Sequence, residues 1–190
     1  MAKTAAQIKD EIQTEIRCII KYRKALLMPT NSLDYEEIQK NIIAFAGAVF
    51  HFKERLAAWA KKSNVSMTPT ISEIAENNVS LLVCGDLFNY KKHGGCENRS
   101  KLSPLLSGAT LKTEGGPIGL RFDGKMKSGE LDRSVPFVVE IYCSENRTLG
   151  NAVEFISKAF SIWTPIMRQI GLLRQEDGVD AMLLKELAQF

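Results

Sequence analysis

The sequence predicts a mainly α-helical bundle of about four principal helices carrying a small antiparallel β insertion. Three observations predict it. Apolar residues recur at helical spacing through roughly the first half of the chain. The stretch at about 105–143 loses that period and breaks into short β-rich runs separated by glycine-containing turns. Helical spacing then returns from Thr148 onward. The 190 residues read as a single helical domain, 1–190, with the β-rich insertion inside it.

Composition sets limits on function. Hydrophobic residues at 45% and charged residues at 25% are ordinary for a soluble globular protein. The 25 basic and 22 acidic side chains are interspersed, so a net charge of +3 permits nucleic-acid contact without singling it out. The four cysteines contain no C-x-x-C pair, and two lie in apolar runs, the pattern of reduced, buried thiols in a cytoplasm. With only two histidines, neither a zinc site nor any other metal or cofactor is expected. No apolar run approaches the ~20 residues of a membrane span, so no membrane partner is expected and the localisation read from the sequence is cytoplasmic.

Element by element, residues 4–27 place Ile8, Ile12, Ile16, Ile19, Ile20, Leu26 and Leu27 on a helical stripe, with Thr4 as cap. Met28-Pro29 stops that helix. A second and longest helix is expected over 33–62, with Ile42, Phe45, Val49, Phe52, Leu56 and Trp59 on one arc. Ala44, Ala48, His51, Arg55 and Ala58 share another face, where small residues would admit a neighbouring helix and partly enclose His51. A third helix is expected over 71–93, apolar nearly all round from Val79 to Phe88 and ended by Gly94-Gly95. Strands are expected at 107–112, 118–123 and 136–143. A helix over 148–170 carries Val153, Ile156, Phe160, Trp163 and Met167, with a kink at Pro165, and a short helix covers 181–190.

The chemistry concentrates where the third helix ends. Asp86, Asn89 and His93 stand at i, i+3 and i+7 on one face, with Lys92 on the adjacent strip. An acid, an amide, an ammonium and an imidazole together can bind a phosphate or orient a hydrolytic base, and can equally satisfy one another beside an apolar helix. His51 with Arg55 one turn on is the second candidate, and a paired-imidazole site with His93 depends on the helix register. Gly119 to Lys125 has the G-x4-G-K spacing of a phosphate loop, but Met126 stands where a magnesium-binding hydroxyl belongs, so a hairpin turn is the better reading. Lys91, Lys92, Arg99, Lys101, Arg121, Lys125 and Lys127 could form a basic surface, diluted by Glu97, Asp123 and Glu130. There is no nucleophile elbow and no H-E-x-x-H.

The D-x-x-N-x-x-K-H ending formed by Asp86, Asn89, Lys92 and His93, the Phe50-His51-Phe52 run and the later helix from Phe155 to Trp163 resemble a group of small bacterial proteins. That group is similar to the HEPN-type helical bundles, some of which are ribonucleases in toxin–antitoxin and phage-defence systems. Their catalytic signature sets an arginine four to six intervening residues before a histidine. Those positions hold Asp86, Leu87 and Phe88 before His93, and Ala44, Phe45 and Ala46 before His51. The resemblance therefore implies the bundle without the nuclease arginine. The expected function is a non-catalytic HEPN-like module that binds a partner protein, a second copy of itself, RNA or DNA, in bacterial defence or stress response. The alternatives are a metal-independent ribonuclease using His93 and Asn89, with Lys92 on the phosphate, and a structural subunit without a ligand site.

Overall fold

The computed structural model describes residues 3–27, 35–93, 119–123, 126–127, 130–131, 138–144 and 147–173. For 35–36, 90–93 and most strand residues it describes the backbone alone. The described residues are mainly helical, as the periodicity predicts.

Helix α1 spans Ala5–Leu27. Thr4 caps it reciprocally, its Oγ1 accepting from the Gln7 amide at 3.2 Å while its own N–H donates to Gln7 Oε1 at 2.8 Å. Ile8, Ile12, Ile16, Ile19 and Ile20 form its buried stripe. Helix α2 spans Tyr35–Lys62. It ends in a left-handed turn at Asn64 (φ 54°), where the Val65 amide donates back to the Ala60 carbonyl at 2.9 Å. Asparagine tolerates that conformation better than most side chains, and the back-bond satisfies an orphan carbonyl.

The single helix expected over 71–93 is two helices. Helix α3 covers Ile71–Glu76, with a capping box between Thr70 and Glu73, and α4 covers Val79–His93. The break falls at Asn77-Asn78. Asn77 Nδ2 donates to the Glu73 carbonyl, and Asn78 Oδ1 accepts from the Leu81 amide at 3.2 Å, so one asparagine closes a helix and the next opens another. As the nearly all-round apolar pattern predicts, Leu81, Leu82, Val83, Cys84 and Leu87 are all buried.

The β-rich stretch ends later than the sequence suggests. Strand β1 (Gly119–Asp123) pairs antiparallel with β4 (Val138–Ser144), and β4 pairs antiparallel with β5 (Arg147–Asn151). β2 (Met126–Lys127) and β3 (Glu130–Leu131) pair separately. β5 occupies residues expected to be helical. The register slips where Ile141 faces Gly150 and Tyr142 faces Thr148, and Gly150 takes φ 111°, the positive angle a bulge there requires. Val139 and Ile141, two apart on β4, are both buried. The strand expected at 107–112, Gly94-Gly95 and the helix expected at 181–190 lie outside the described residues.

The last helical region is likewise divided. α5 spans Ala152–Ser161, opened by Asn151 Oδ1 accepting from the Val153 and Glu154 amides, and α6 spans Trp163–Gln169. The break is at Ile162, and Pro165 sits in the first turn of α6, where its missing N–H is tolerated. Gly171 (φ 68°) ends α6, with the Leu172 amide bonding the Met167 carbonyl at 2.9 Å.

Helix α2 is the axis of the core. Phe45, Val49, Phe52 and Leu56 are completely buried, and Phe52 meets Phe160 of α5 edge-on at 5.6 Å. Trp163 Nε1 donates to the Val49 carbonyl at 3.0 Å in the interior, and Trp59 Nε1 donates to the Ile170 carbonyl at 3.1 Å. Trp163 thus buries its ring, and Trp59 buries part of its ring, without orphaning the indole N–H. Arg23 Nε donates to the buried Ser157 hydroxyl at 3.1 Å, fastening α1 to α5.

Candidate functional site

The seam between α2 and α4 contains His51 and leads to the Asp86–His93 segment. Its geometry follows from two glycines. A Cβ on Gly47 would overlap the Phe88 ring, and one on Gly85 would lie 2.9 Å from Phe50 Cζ. The two helices therefore approach through reciprocal contacts of a phenylalanine on a glycine. Gly47 faces Phe88 while Phe50 faces Gly85, so the helices run antiparallel. The alanine face of α2 was expected to admit the neighbour; the glycine one residue before Ala48 does so.

The same register answers how His51 relates to His93. It puts Cys84 level with His51, so the backbone of His93 lies about 14 Å further along α4 at 1.5 Å per residue. What His51 meets instead is Phe88, with ring centroids 5.0 Å apart and planes at 80°. Its sequence neighbour Phe50 packs edge-on at 5.3 Å, and Lys53 Nζ stands 3.8 Å from the Phe50 centroid. His51 Nδ1 donates to Glu54 Oε1 at 3.0 Å. The imidazole remains 43% exposed, partly enclosed as expected. Arg55, one turn on, reaches Glu11 of α1 at 2.9 Å, and Lys3 pairs with the same carboxylate. The Lys3 bond leads in holding Glu11 below the usual carboxylate range, opposed by desolvation and helped by the Lys3 and Arg55 charges.

On α4, Asp86 and Asn89 are both partly buried and share a face, as the i, i+3 spacing predicts. Burial pushes the Asp86 carboxyl up to about 6. His93 and Lys92 continue that helix, and their side chains lie outside the described residues. So do all the side chains of the basic surface drawn from Lys91 to Lys127. Gly119–Asp123 and Met126–Lys127 are strands, so a strand stands directly after Lys125 where a phosphate loop would open a helix, which removes that reading. Cys84 is buried and its thiol is driven far up by desolvation, whereas Cys18 is exposed, unlike the buried thiols expected. Among the described residues no helix is long and apolar enough to cross a membrane, and no three His, Cys, Asp or Glu side chains gather as a metal site.

The sequence singled out neither Phe88 nor Glu54 as partners of His51. Glu54 was visible at i+3 on the same helix. Phe88 was not, because its contact depends on interhelical register. No protein-family model matches the chain, and no curated protein or solved structure matches it either.

The raised Asp86 value gives a pH prediction. Between the ordinary carboxylate pKa near 3.8 and about 6, the folded state holds more protons at this site than the unfolded state. This group's contribution to stability therefore falls as pH rises through that window, and the full penalty is present above it. Because Asp86 is only partly buried, solvent screening reduces the penalty to about 1–2 kcal/mol. Thermal melts of Asp86→Asn should show a gain of that size at pH 8 and almost none near pH 4. A variant less stable than wild type at pH 8 would contradict this account.

Proposed function

We propose that the chain is a non-catalytic helical binding module, HEPN-like in its bundle, that engages a partner protein or nucleic acid in bacterial defence or stress response. The observation that carries this reading is the state of His51. Its ring is packed on Phe50 of its own helix and on Phe88 across the seam, and Nδ1 donates to Glu54, also on α2. Arg55 is committed to Glu11 on α1. The His51–Phe88 contact and the Arg55–Glu11 pair hold helices together, a structural use of the residue types that a hydrolytic site would aim at a substrate. The polar face of Asp86 and Asn89 then leads along α4 toward Lys92 and His93 as a surface for recognition.

A ribonuclease reading draws on one specific observation. Burial raises the Asp86 carboxyl to about 6, toward the range a general acid or base uses, and Asp86 shares a helix face with Asn89. In that reading His93 is the acid–base group, and Asn89 and Lys92 hold the phosphate.

Fluorescence anisotropy of labelled RNA and DNA from about 50 to about 200 mM salt tests the nucleic-acid arm. Binding should be measurable at low salt and fall linearly on a log–log plot. Affinity capture with the same protein tests the protein arm, and a stoichiometric partner is the expected result. A chain that retains neither is a structural subunit, and the proposal fails.

A further inference from the structure

The carboxyl-terminal half of α1, Ile16 to Leu27, carries four cations, Arg17, Lys21, Arg23 and Lys24, and no acid. Arg23 turns inward to Ser157. Arg17, Lys21 and Lys24 stand at i, i+4 and i+7 and are all exposed, so they line one outer strip of the helix. Attraction to the negative end of the helix accounts for a cation only within about the last turn. That covers Lys24 and leaves Arg17 and Lys21, which lie further from the end, without a helix-dipole role. Among the described residues neither takes part in an ion pair.

We propose that this strip is a docking surface for the phosphate backbone of nucleic acid. The inference rests on the nucleic-acid arm of the proposed function and gives that arm a location. Two features select phosphate over other polyanions. A membrane-surface helix presents an apolar face beside its cations, whereas the isoleucine stripe of α1 is buried in the core and Leu27 is its one exposed large apolar side chain. A protein interface relies on aromatic and apolar anchors and is poor in lysine. The strip runs instead past the exposed Thr14 and Cys18. What remains is charge at regular spacing, and charge alone suffices for sequence-independent backbone binding.

The test is anisotropy of a labelled single-stranded RNA with the full chain and the double variant Arg17→Glu/Lys21→Glu. The control is Lys61→Glu/Lys62→Glu, which makes the same charge change at exposed positions on α2. All four residues are exposed, so the α1 variant should melt like wild type, and the α2 control, which places acids in the last turn of its helix, should melt slightly lower but stay folded. The α1 variant should lose at least about tenfold in affinity at low salt, and its log–log salt slope should flatten by about 1.4, two phosphate contacts at about 0.7 each for a single strand. The α2 control should stay within about twofold. Equal losses in both variants would show attraction to net charge alone and overturn the proposal. So would wild-type binding that the α1 variant retains, which would leave the function standing and its location wrong. Wild type that ignores RNA but sediments with anionic vesicles would overturn both this site and the nucleic-acid arm.

Discussion

Trp163→Ala should destabilise the fold by about 3–5 kcal/mol, the range for removing a buried aromatic side chain. Trp163 is completely buried on α6, and its Nε1 donates to the Val49 carbonyl inside α2. The truncation therefore opens a cavity and removes a polar link between distant segments in one step. Val49 keeps its carbonyl in the helix ladder, so Trp163→Phe should isolate the indole's contribution at about 1–2 kcal/mol. At about 2–4 °C per kcal/mol for a domain of this size, the alanine variant should melt roughly 10 °C below wild type. Calorimetry checks both variants. An alanine variant within a degree or two of wild type would mean that α6 does not pack on α2 as described.

Gly47→Ala is the second large effect, and its sign separates two forces. In a helix interior alanine is better than glycine by about 1 kcal/mol. A Cβ at this position overlaps the Phe88 ring, however, and overpacking costs about 1–3 kcal/mol. Moving Phe88 would also separate it from His51. The steric term should win, giving a net loss of about 1–2 kcal/mol. Adding Phe88→Ala removes the obstacle, so in that background Gly47→Ala should be neutral or stabilising. Denaturant unfolding of the four proteins in this cycle gives the coupling directly. Two independent, additive effects would contradict the close approach of α2 and α4.

These two sites also show what the sequence could reveal. The buried arc of α2 was legible because period 3.6 gathers Phe45, Val49, Phe52 and Leu56 on one side, and all four are fully buried. Thr4 was legible as a cap because Gln7 follows at the reciprocal position. The break between α3 and α4 was not, because Asn77 and Asn78 sit inside an otherwise continuous helical pattern and act through side-chain bonds to the backbone. The strand at Arg147–Asn151 was misread as helix for a related reason. Thr148 reads as a helix start, whereas the cap is Asn151 and the residues before it pair with β4 through a bulge.

The candidate site was legible only along single helices. Asp86 and Asn89 share a face because i, i+3 spacing requires it, and the burial that raises Asp86 follows from the apolar residues around it. Contacts between helices were invisible. Arg55 with Glu11, His51 with Phe88, and Gly47 beneath Phe88 each depend on which residues of two distant segments come level. Local periodicity does not encode that register; the shapes of glycine and phenylalanine set it once the helices meet.

In the function proposed above, this bundle binds without cutting. The most direct measurement incubates purified wild type and His93→Ala with a labelled mixed RNA pool in chelator and resolves the RNA by length. The account predicts an unchanged length distribution with both proteins. Shortened products with wild type that disappear in a stably folded His93→Ala would contradict it and establish the nuclease.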